Sequence, residues 1–154
     1  MSRIYIARWA AALSVAALLG GCSVGVGSSG TLSGSFDAPV GYRKGYENAI
    51  EQARTCLVGE GAYQVDGALD DAGRRGRVRV VPKLLDGSPM ATVDVSALDE
   101  GHSRVSVEMW GSSLWDAAAM RAMRDAVVFG VPSCTAYMPA RRDASYDAWF
   151  SRRQ

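Results

Sequence analysis

Hydrophobic and polar residues recur along the chain with two different periods, and these periods distinguish its helices from its strands. Apolar or small residues return every three or four positions between Tyr42 and Leu57, as they do on the buried face of a helix. The same spacing occurs between Trp115 and Phe129. The pattern therefore predicts two amphipathic helices, each with one apolar side that another element must cover.

Four stretches between these helices instead alternate between apolar and polar residues. They are residues 63–69, 77–80, 91–97 and 104–109, and short turns rich in Asp and Gly separate them. A period of two directs one side chain into a core and the next into solvent, which is typical of strands with one dry face. Residues 31–36 supply a candidate first strand. Because such short turns join antiparallel neighbours, we expect an antiparallel meander.

The predicted order of elements is therefore (β)-α-β-β-β-β-α. Strands with one apolar face need a cover, and the two amphipathic helices can provide it. We predict an α+β fold, a two-layer sandwich in which two helices cover one face of an antiparallel meander sheet. We further expect Ser112 and Ser113 to cap the second helix and Gly130 to end it.

The N-terminal residues follow neither pattern. Arg3 and Arg8 lie in a segment without acidic residues, and residues 9–19 then form an apolar run of 11. A helix that spans a bilayer needs about 20 apolar residues, so this run is too short. A basic start, an apolar centre and small residues before a cleavage site are typical of a secretory signal peptide.

The apolar run leads into Leu19-Gly20-Gly21-Cys22, which resembles the lipobox of bacterial lipoproteins. The resemblance implies that the Cys22 thiol receives a diacylglycerol, that residues 1–21 are removed as a signal peptide, and that the new amino terminus receives an acyl chain. A thiolate is suited to attack the lipid donor near neutral pH. No cofactor beyond these covalent lipids is expected. Because two or more acyl chains anchor a protein stably, the resemblance implies a lipid anchor in a membrane.

The same resemblance predicts the location and the division of the chain. Ser23 follows the lipidated cysteine directly. An Asp at this position often retains such lipoproteins in the inner membrane, so its absence leads us to expect export to the outer membrane, facing the periplasm. Residues 22–34 are expected to form the lipidated cysteine and a Gly/Ser-rich tether, residues 35–139 the folded domain, and residues 140–154 a polar, aromatic tail. The folded part resembles helix-grip domains, and the whole chain resembles small envelope lipoproteins of proteobacteria.

Two cysteines remain once Cys22 carries lipid. Cys56 lies near the end of the first predicted helix, and Cys134 lies just past the end of the second. An exported compartment is oxidising, and an even pair of cysteines there most simply forms a disulfide. We therefore predict a Cys56–Cys134 bond. Two separately buried thiols, or a mixed disulfide with a partner, are the alternatives.

Charge and the few reactive residues limit the function classes. From Cys22 onward the chain has 15 basic and 16 acidic residues, a net charge of −1. This balance argues against nucleic acid as a partner, because such binding needs a clustered positive surface. His102 is the only histidine, lies in a predicted turn, and has no nucleophile motif or second zinc ligand near it. We therefore predict a protein that is not an enzyme and has no metal site.

Arginines concentrate on one predicted hairpin. They are Arg74, Arg75, Arg77 and Arg79. Guanidinium groups can make two hydrogen bonds to one phosphate or carboxylate, so this hairpin is a candidate site for an anion or an acidic partner. The alternative is a solvated sheet face on which Arg77 and Arg79 pair across strands with Asp94 or Glu108.

Trp149 and Phe150 are the second candidate binding site. They lie between arginines in the C-terminal tail, and aromatic and arginine side chains are both common in interface hot spots. The tail could equally pack on its own domain or stay disordered.

Two functional hypotheses follow from these observations. The first is a non-enzymatic envelope lipoprotein that binds another envelope protein or assists an envelope assembly. The alternative is a carrier or sensor of a small amphiphilic ligand, held in a cleft between sheet and helix. Such a cleft needs roughly 300–1,000 Å³. The second predicted helix is rich in alanine and packs closely, which argues against so large a space.

Overall fold

One antiparallel sheet of six strands forms the framework of the molecule, and two helices pack on one of its faces. The computed structural model describes residues 25–84, 87–111, 115–134 and 149–152. The signal peptide, the lipobox, Cys22 and residues 140–148 lie outside these ranges. The expectations for those parts of the chain therefore stay predictions.

The helices and strands follow the predicted order. The helices are α1 (Tyr42–Cys56) and α2 (Ala117–Phe129), and a short 3-10 helix, Gly59–Gly61, follows α1. The strands are β1 (Thr31–Ala38), β2 (Tyr63–Asp70), β3 (Arg75–Pro82), β4 (Ala91–Ala97), β5 (Ser103–Trp110) and β6 (Phe150–Arg152). The predicted α+β sandwich, with the order β-α-β-β-β-β-α, is confirmed, and β6 is an additional strand.

The strands lie side by side in the order β2-β3-β4-β5-β1-β6. Strands β2 to β5 form the predicted meander, in which each strand pairs with the next along the chain. Strand β1 pairs with β5, from Thr31 opposite Trp110 to Ala38 opposite Ser103. The N-terminal strand therefore lies inside the sheet, between β5 and β6.

The core lies between the helices and the apolar face of the sheet. Its buried side chains from the sheet include Val78, Val80, Val93, Val95, Val105 and Val107, and those from the helices include Ala49, Ala53, Met120, Met123 and Val127. Each large side chain buried in this way contributes about 1.5–3 kcal/mol relative to its exposed state. A hydrogen bond from Nδ2 of Asn48 to the backbone oxygen of Val127, 2.9 Å long, joins the two helices.

The start of α2 differs from the prediction. Its N-cap is Asp116, whose Oδ1 accepts hydrogen bonds from the backbone N–H groups of Ala118 (2.8 Å) and Ala119 (3.3 Å). A carboxylate at this position also interacts favourably with the helix dipole. The expected caps, Ser112 and Ser113, lie outside the described residues. Gly130 ends the helix as predicted, with a positive φ of 72°.

The N-terminal boundary of the folded domain lies earlier than expected. Strand β1 begins at Thr31, and the side chains of Thr31 and Leu32 are fully buried. Before this strand, the N–H of Val26 donates a 2.7 Å hydrogen bond to the backbone oxygen of Pro89. The expectation of a flexible tether over residues 22–34 is therefore corrected: from residue 25 onward the chain packs on the domain through backbone contacts that composition does not reveal.

The C-terminal boundary also moves. Strand β6 pairs with β1, with Phe150 opposite Gly34 and Arg152 opposite Leu32. The sequence predicts a folded domain of residues 35–139 and a separate tail of residues 140–154. This prediction is corrected for residues 149–152, since they belong to the sheet.

Gly34 makes the close approach of β6 possible. A Cβ at this position would meet the carbonyl oxygen of Trp149 and the Cβ of Phe150 at less than 3.0 Å. We expect Gly34→Val to displace β6 and expose Phe150, which lowers the free energy of unfolding by roughly 1.5–3 kcal/mol. Urea denaturation measures this loss. Ser35→Val, on the opposite face of the same strand, is the matched control, and equal stability of the two variants would contradict the prediction.

Candidate functional site

The sheet face that the helices leave uncovered carries a regular array of polar side chains, which we call the polar face. Cross-strand pairing aligns these side chains in rows. One row contains Asp66, Arg79, Thr92, Glu108 and Ser33, and a second contains Arg77, Asp94, Ser106 and Ser35. Each row crosses at least four strands, so short side chains that are distant in sequence lie next to one another.

An open depression of about 570 Å³ lies on the polar face, and we call it the sheet depression. The residues that line it include Ser33, Ser35, Thr92, Asp94, Ser106 and Glu108, together with Trp149 and Phe150 at the β6 side. Hydroxyl groups both donate and accept hydrogen bonds, whereas the two carboxylates accept them. The depression can therefore bind a polar chain that carries both donors and acceptors.

Three of the four arginines of the predicted hairpin lie beside acidic partners. Arg77 pairs with Asp94 across β3 and β4. Arg75 pairs with Asp70 at 3.0 Å, and the Nη2 of Arg79 lies 3.6 Å from Asp66.

Arg74 is the fourth arginine of the hairpin. Its Nη2 donates a 3.1 Å hydrogen bond to the backbone oxygen of Asp99. Three of the four arginines therefore have an acidic partner, which makes the hairpin a weak candidate for a strong anion site. Arg77 pairs with Asp94, as the pairing alternative expected, whereas Arg79 lies beside Asp66, which that alternative did not include.

A two-pronged ion pair closes one end of the polar face. Nε and Nη2 of Arg104 donate to the two carboxylate oxygens of Asp37 at 2.8 and 3.1 Å. These hydrogen bonds lower the pKa of Asp37 below its ordinary value of 3.8 and raise the pKa of Arg104. The pair joins β1 to β5 and fixes the position of both side chains beside the depression.

Two further carboxyl groups have lowered pKa values. The pKa of Asp70 is lowered first by the backbone N–H of Gly73 and then by Arg75. The pKa of Asp99 is lowered mainly by the side chain of His102. Both carboxylates lie at turns, where they bind backbone N–H groups.

These shifts predict a loss of stability in acid. A carboxyl whose pKa is lower in the folded chain contributes stability above its unfolded value of 3.8 and loses it as the pH falls through the folded pKa. We expect the free energy of unfolding to fall between about pH 5 and about pH 2. The measurement is urea denaturation at each pH. Exchange of Asp37, Asp70 and Asp99 for asparagine should flatten this dependence, and an unchanged slope would contradict the assignment.

Trp149 and Phe150 pack on their own domain. Phe150 is only 5% exposed and belongs to the core. The ring of Trp149 lies 5.3 Å from that of Phe36, and the guanidinium of Arg124 lies 5.8 Å from the Trp149 ring. This packing agrees with the alternative in which the tail packs on its own domain. Both residues also line the sheet depression, so their binding of a partner stays a prediction.

His102 takes part in a turn. Its Nδ1 lies 3.0 Å from Asp99, and Oδ1 of Asp99 also accepts from the N–H groups of Gly101 and His102 at 2.7 Å. Within the described part of the chain, no three His, Cys, Asp or Glu side chains cluster as metal ligands would. The geometry assigns His102 a role in the β4–β5 turn.

The predicted disulfide is confirmed. Cys56 is bonded to Cys134, and their Cα atoms are 5.0 Å apart. Beside this bond, Nε2 of Gln52 donates to the backbone oxygen of Ser133, and Oε1 of Gln52 accepts from the Ser133 N–H, both at 2.8 Å. The segment after α2 is therefore fixed to α1 by a covalent bond and by two hydrogen bonds from one amide.

The interior between helices and sheet is closely packed. A cavity lined by residues such as Gln52, Leu57, Met109, Trp115 and Met123 measures about 10 Å³. A cavity of this size is at the lower limit for one water molecule.

No protein-family model matches the chain, and neither a curated protein nor a solved structure matches it. Neither helix in the described ranges is long and apolar enough to cross a bilayer.

Proposed function

We propose that the protein is a lipid-anchored, non-enzymatic accessory of the bacterial cell envelope, which binds another envelope protein through the polar face. Acyl chains on Cys22 would hold it at the outer membrane, facing the periplasm. The observation that carries this proposal is the sheet depression, an open site of about 570 Å³ on a face that the helices leave uncovered.

The chemistry of the depression suits a protein segment. A polypeptide backbone presents N–H donors and C=O acceptors in alternation, and the hydroxyls of Ser33, Ser35, Thr92 and Ser106 can pair with both. Ion pairs at its margin remain accessible to water, since the side chains of Arg77 and Asp94 are 62% and 42% exposed. Exposed pairs of this kind contribute only about 0–1 kcal/mol, so a partner can replace one member at low cost.

The alternative of an amphiphile carrier receives no support from the interior. A ligand held between sheet and helix needs several hundred Å³, whereas the cavity beneath α2 measures about 10 Å³. The small and flexible side chains of α2, among them Ala119, Met120 and Met123, are buried against the sheet. The open face therefore fits the first functional hypothesis better than the second.

Site-specific crosslinking in intact envelopes tests this proposal. A photoreactive p-benzoylphenylalanine replaces Ser106 in the depression, and the control carries it at Glu51 on the exposed side of α1. We expect a protein adduct at position 106 that is absent at position 51. Equal adducts at both positions, or none with protein at position 106, would reject the polar face as the binding site.

A further inference from the structure

We infer that one end of the sheet faces the phospholipid bilayer. The β3–β4 connection lies at this end, and the Leu84 side chain inserts into the surface of the bilayer. This inference rests on the proposed acylation of Cys22 and adds to it an orientation and a contact residue.

The first residues that the structure describes pack against the β3–β4 connection. Val26 is bound to the backbone oxygen of Pro89, within the β3–β4 connection, at 2.7 Å. Gly25 is buried and lies close to the same connection. A Cβ at residue 25 would lie 2.8 Å from the backbone oxygen of Pro89 and 2.8 Å from the Cβ of Ser88. Gly25, the first residue that the structure describes, therefore lies beside the β3–β4 connection.

The chain between Gly25 and Cys22 is short. Only three peptide units join Gly25 to Cys22, and a fully extended chain of that length spans at most about 11 Å. The acyl chains on Cys22 must enter the bilayer, so Gly25 cannot lie farther than this from the membrane surface. The part of the domain next to residue 25 is therefore the part nearest the lipid.

The β3–β4 connection carries an exposed leucine and an exposed lysine. Leu84 is 93% exposed, more than Leu98, Phe129 or Val131 among the exposed large apolar side chains. Lys83, next to it, is also exposed. An apolar side chain enters the boundary between headgroups and acyl chains, while a neighbouring lysine places its ammonium among the phosphates. Contact with lipid would account for a leucine that is almost fully exposed in the same connection as Pro89, the residue bound by Val26.

The opposite end of the sheet lies a full strand length away from residue 25. Cross-strand pairs place Tyr63, Pro82 and Trp110 at the end near residue 25, and Asp70, Arg75 and Ser96 at the other. A strand of eight residues is about 26 Å long. The β4–β5 turn, with Leu98, therefore lies far from the bilayer. In this orientation the strands run away from the membrane plane, and the sheet depression on the polar face is accessible from the side.

Spin labelling of the acylated mature protein in vesicles tests the inference. The vesicles contain phosphatidylethanolamine and phosphatidylglycerol, and a nitroxide is coupled to p-acetylphenylalanine in place of Leu84 or, as the matched control, Leu98. We expect vesicle binding to reduce collisions of the label at position 84 with a water-soluble nickel complex and to increase its collisions with oxygen. The label at position 98 should keep its solvent accessibility.

The outcomes separate this inference from the proposed function. If mass spectrometry shows the acyl chains, the protein floats with the vesicles, and position 84 is as accessible to nickel as position 98, the contact is refuted and the anchor stands. Protection of position 84 only after addition of an envelope protein extract would assign Leu84 to a protein interface and equally refute it. A chain without acyl groups that does not float would refute both the anchor and the orientation.

Discussion

Replacement of Cys22 by serine is expected to leave the chain unacylated, with residues 1–21 still attached. A serine hydroxyl is not ionised near neutral pH and cannot take the place of the thiolate in the attack on the lipid donor. Each methylene of a lost acyl chain removes about 0.8 kcal/mol of membrane affinity. Intact-mass spectrometry and flotation of membranes measure the two effects.

A second cysteine variant controls for damage to the fold. Cys134→Ser lies in the folded domain and should leave acylation and flotation unchanged. The lipoprotein assignment would be withdrawn if the Cys22→Ser chain were processed and floated as completely as the unaltered chain. Inhibition of the lipoprotein signal peptidase should likewise cause a longer precursor to accumulate.

Loss of the Cys56–Cys134 bond is expected to lower the free energy of unfolding by about 2–4 kcal/mol. The bond closes a large loop, with a sequence separation of 78, and thereby restricts the unfolded chain. Its loss also weakens the attachment of Ser133 to Gln52. Urea denaturation of the chain from residue 23, with and without a phosphine reductant, measures the effect.

The double variant with serine at positions 56 and 134 provides the comparison. It should match the reduced protein in stability and should not respond to the reductant. If the reductant left the unaltered protein as stable as before, the disulfide would not contribute to the fold in solution.

Most of the architecture could be predicted because its elements have strong local periods. Strand β4 has the predicted bounds, Ala91–Ala97, since each valine in it is buried and each intervening residue is at least partly exposed. Helix α1 begins at Tyr42 as its spacing indicates, and the glycines at 59 and 61 form the short 3-10 helix after it. Local patterns of this kind depend on which side of an element is dry, and sequence alone reports that well.

The errors arose where a contact far along the chain decides the structure. Strand β6 has three residues, too few to show a period, and it exists because Gly34 leaves room for Phe150. Residues 25–30 have a linker composition, yet backbone hydrogen bonds to Pro89 and Gly111 fix them. At the start of α2, Asp116 and the upstream serines are all acceptable caps by residue type, and the structure selects the aspartate.

In the candidate site, too, local patterns predict some of the residues, whereas contacts between distant parts of the chain determine the others. Alternation in β4 and β5 is enough to identify Thr92, Asp94 and Ser106 as outward-facing residues. The insertion of β1 beside β5 brings Ser33 and Ser35 to the same depression, and no local pattern indicates that pairing. The four arginines are evident in the sequence, but the pairing of three of them with Asp66, Asp70 and Asp94 depends on register.

The pairing of β6 with β1 has a consequence for the order of folding. Positions 32 and 152 face each other, so the earliest strand of the domain completes its hydrogen bonds only when the last segment of the chain has arrived. Contacts between such distant positions form slowly. Until β6 pairs with it, β1 keeps one bare backbone edge, to which a strand of another molecule can add. Swapping of β6 between two molecules caught at this stage would produce a dimer held by the same pairs.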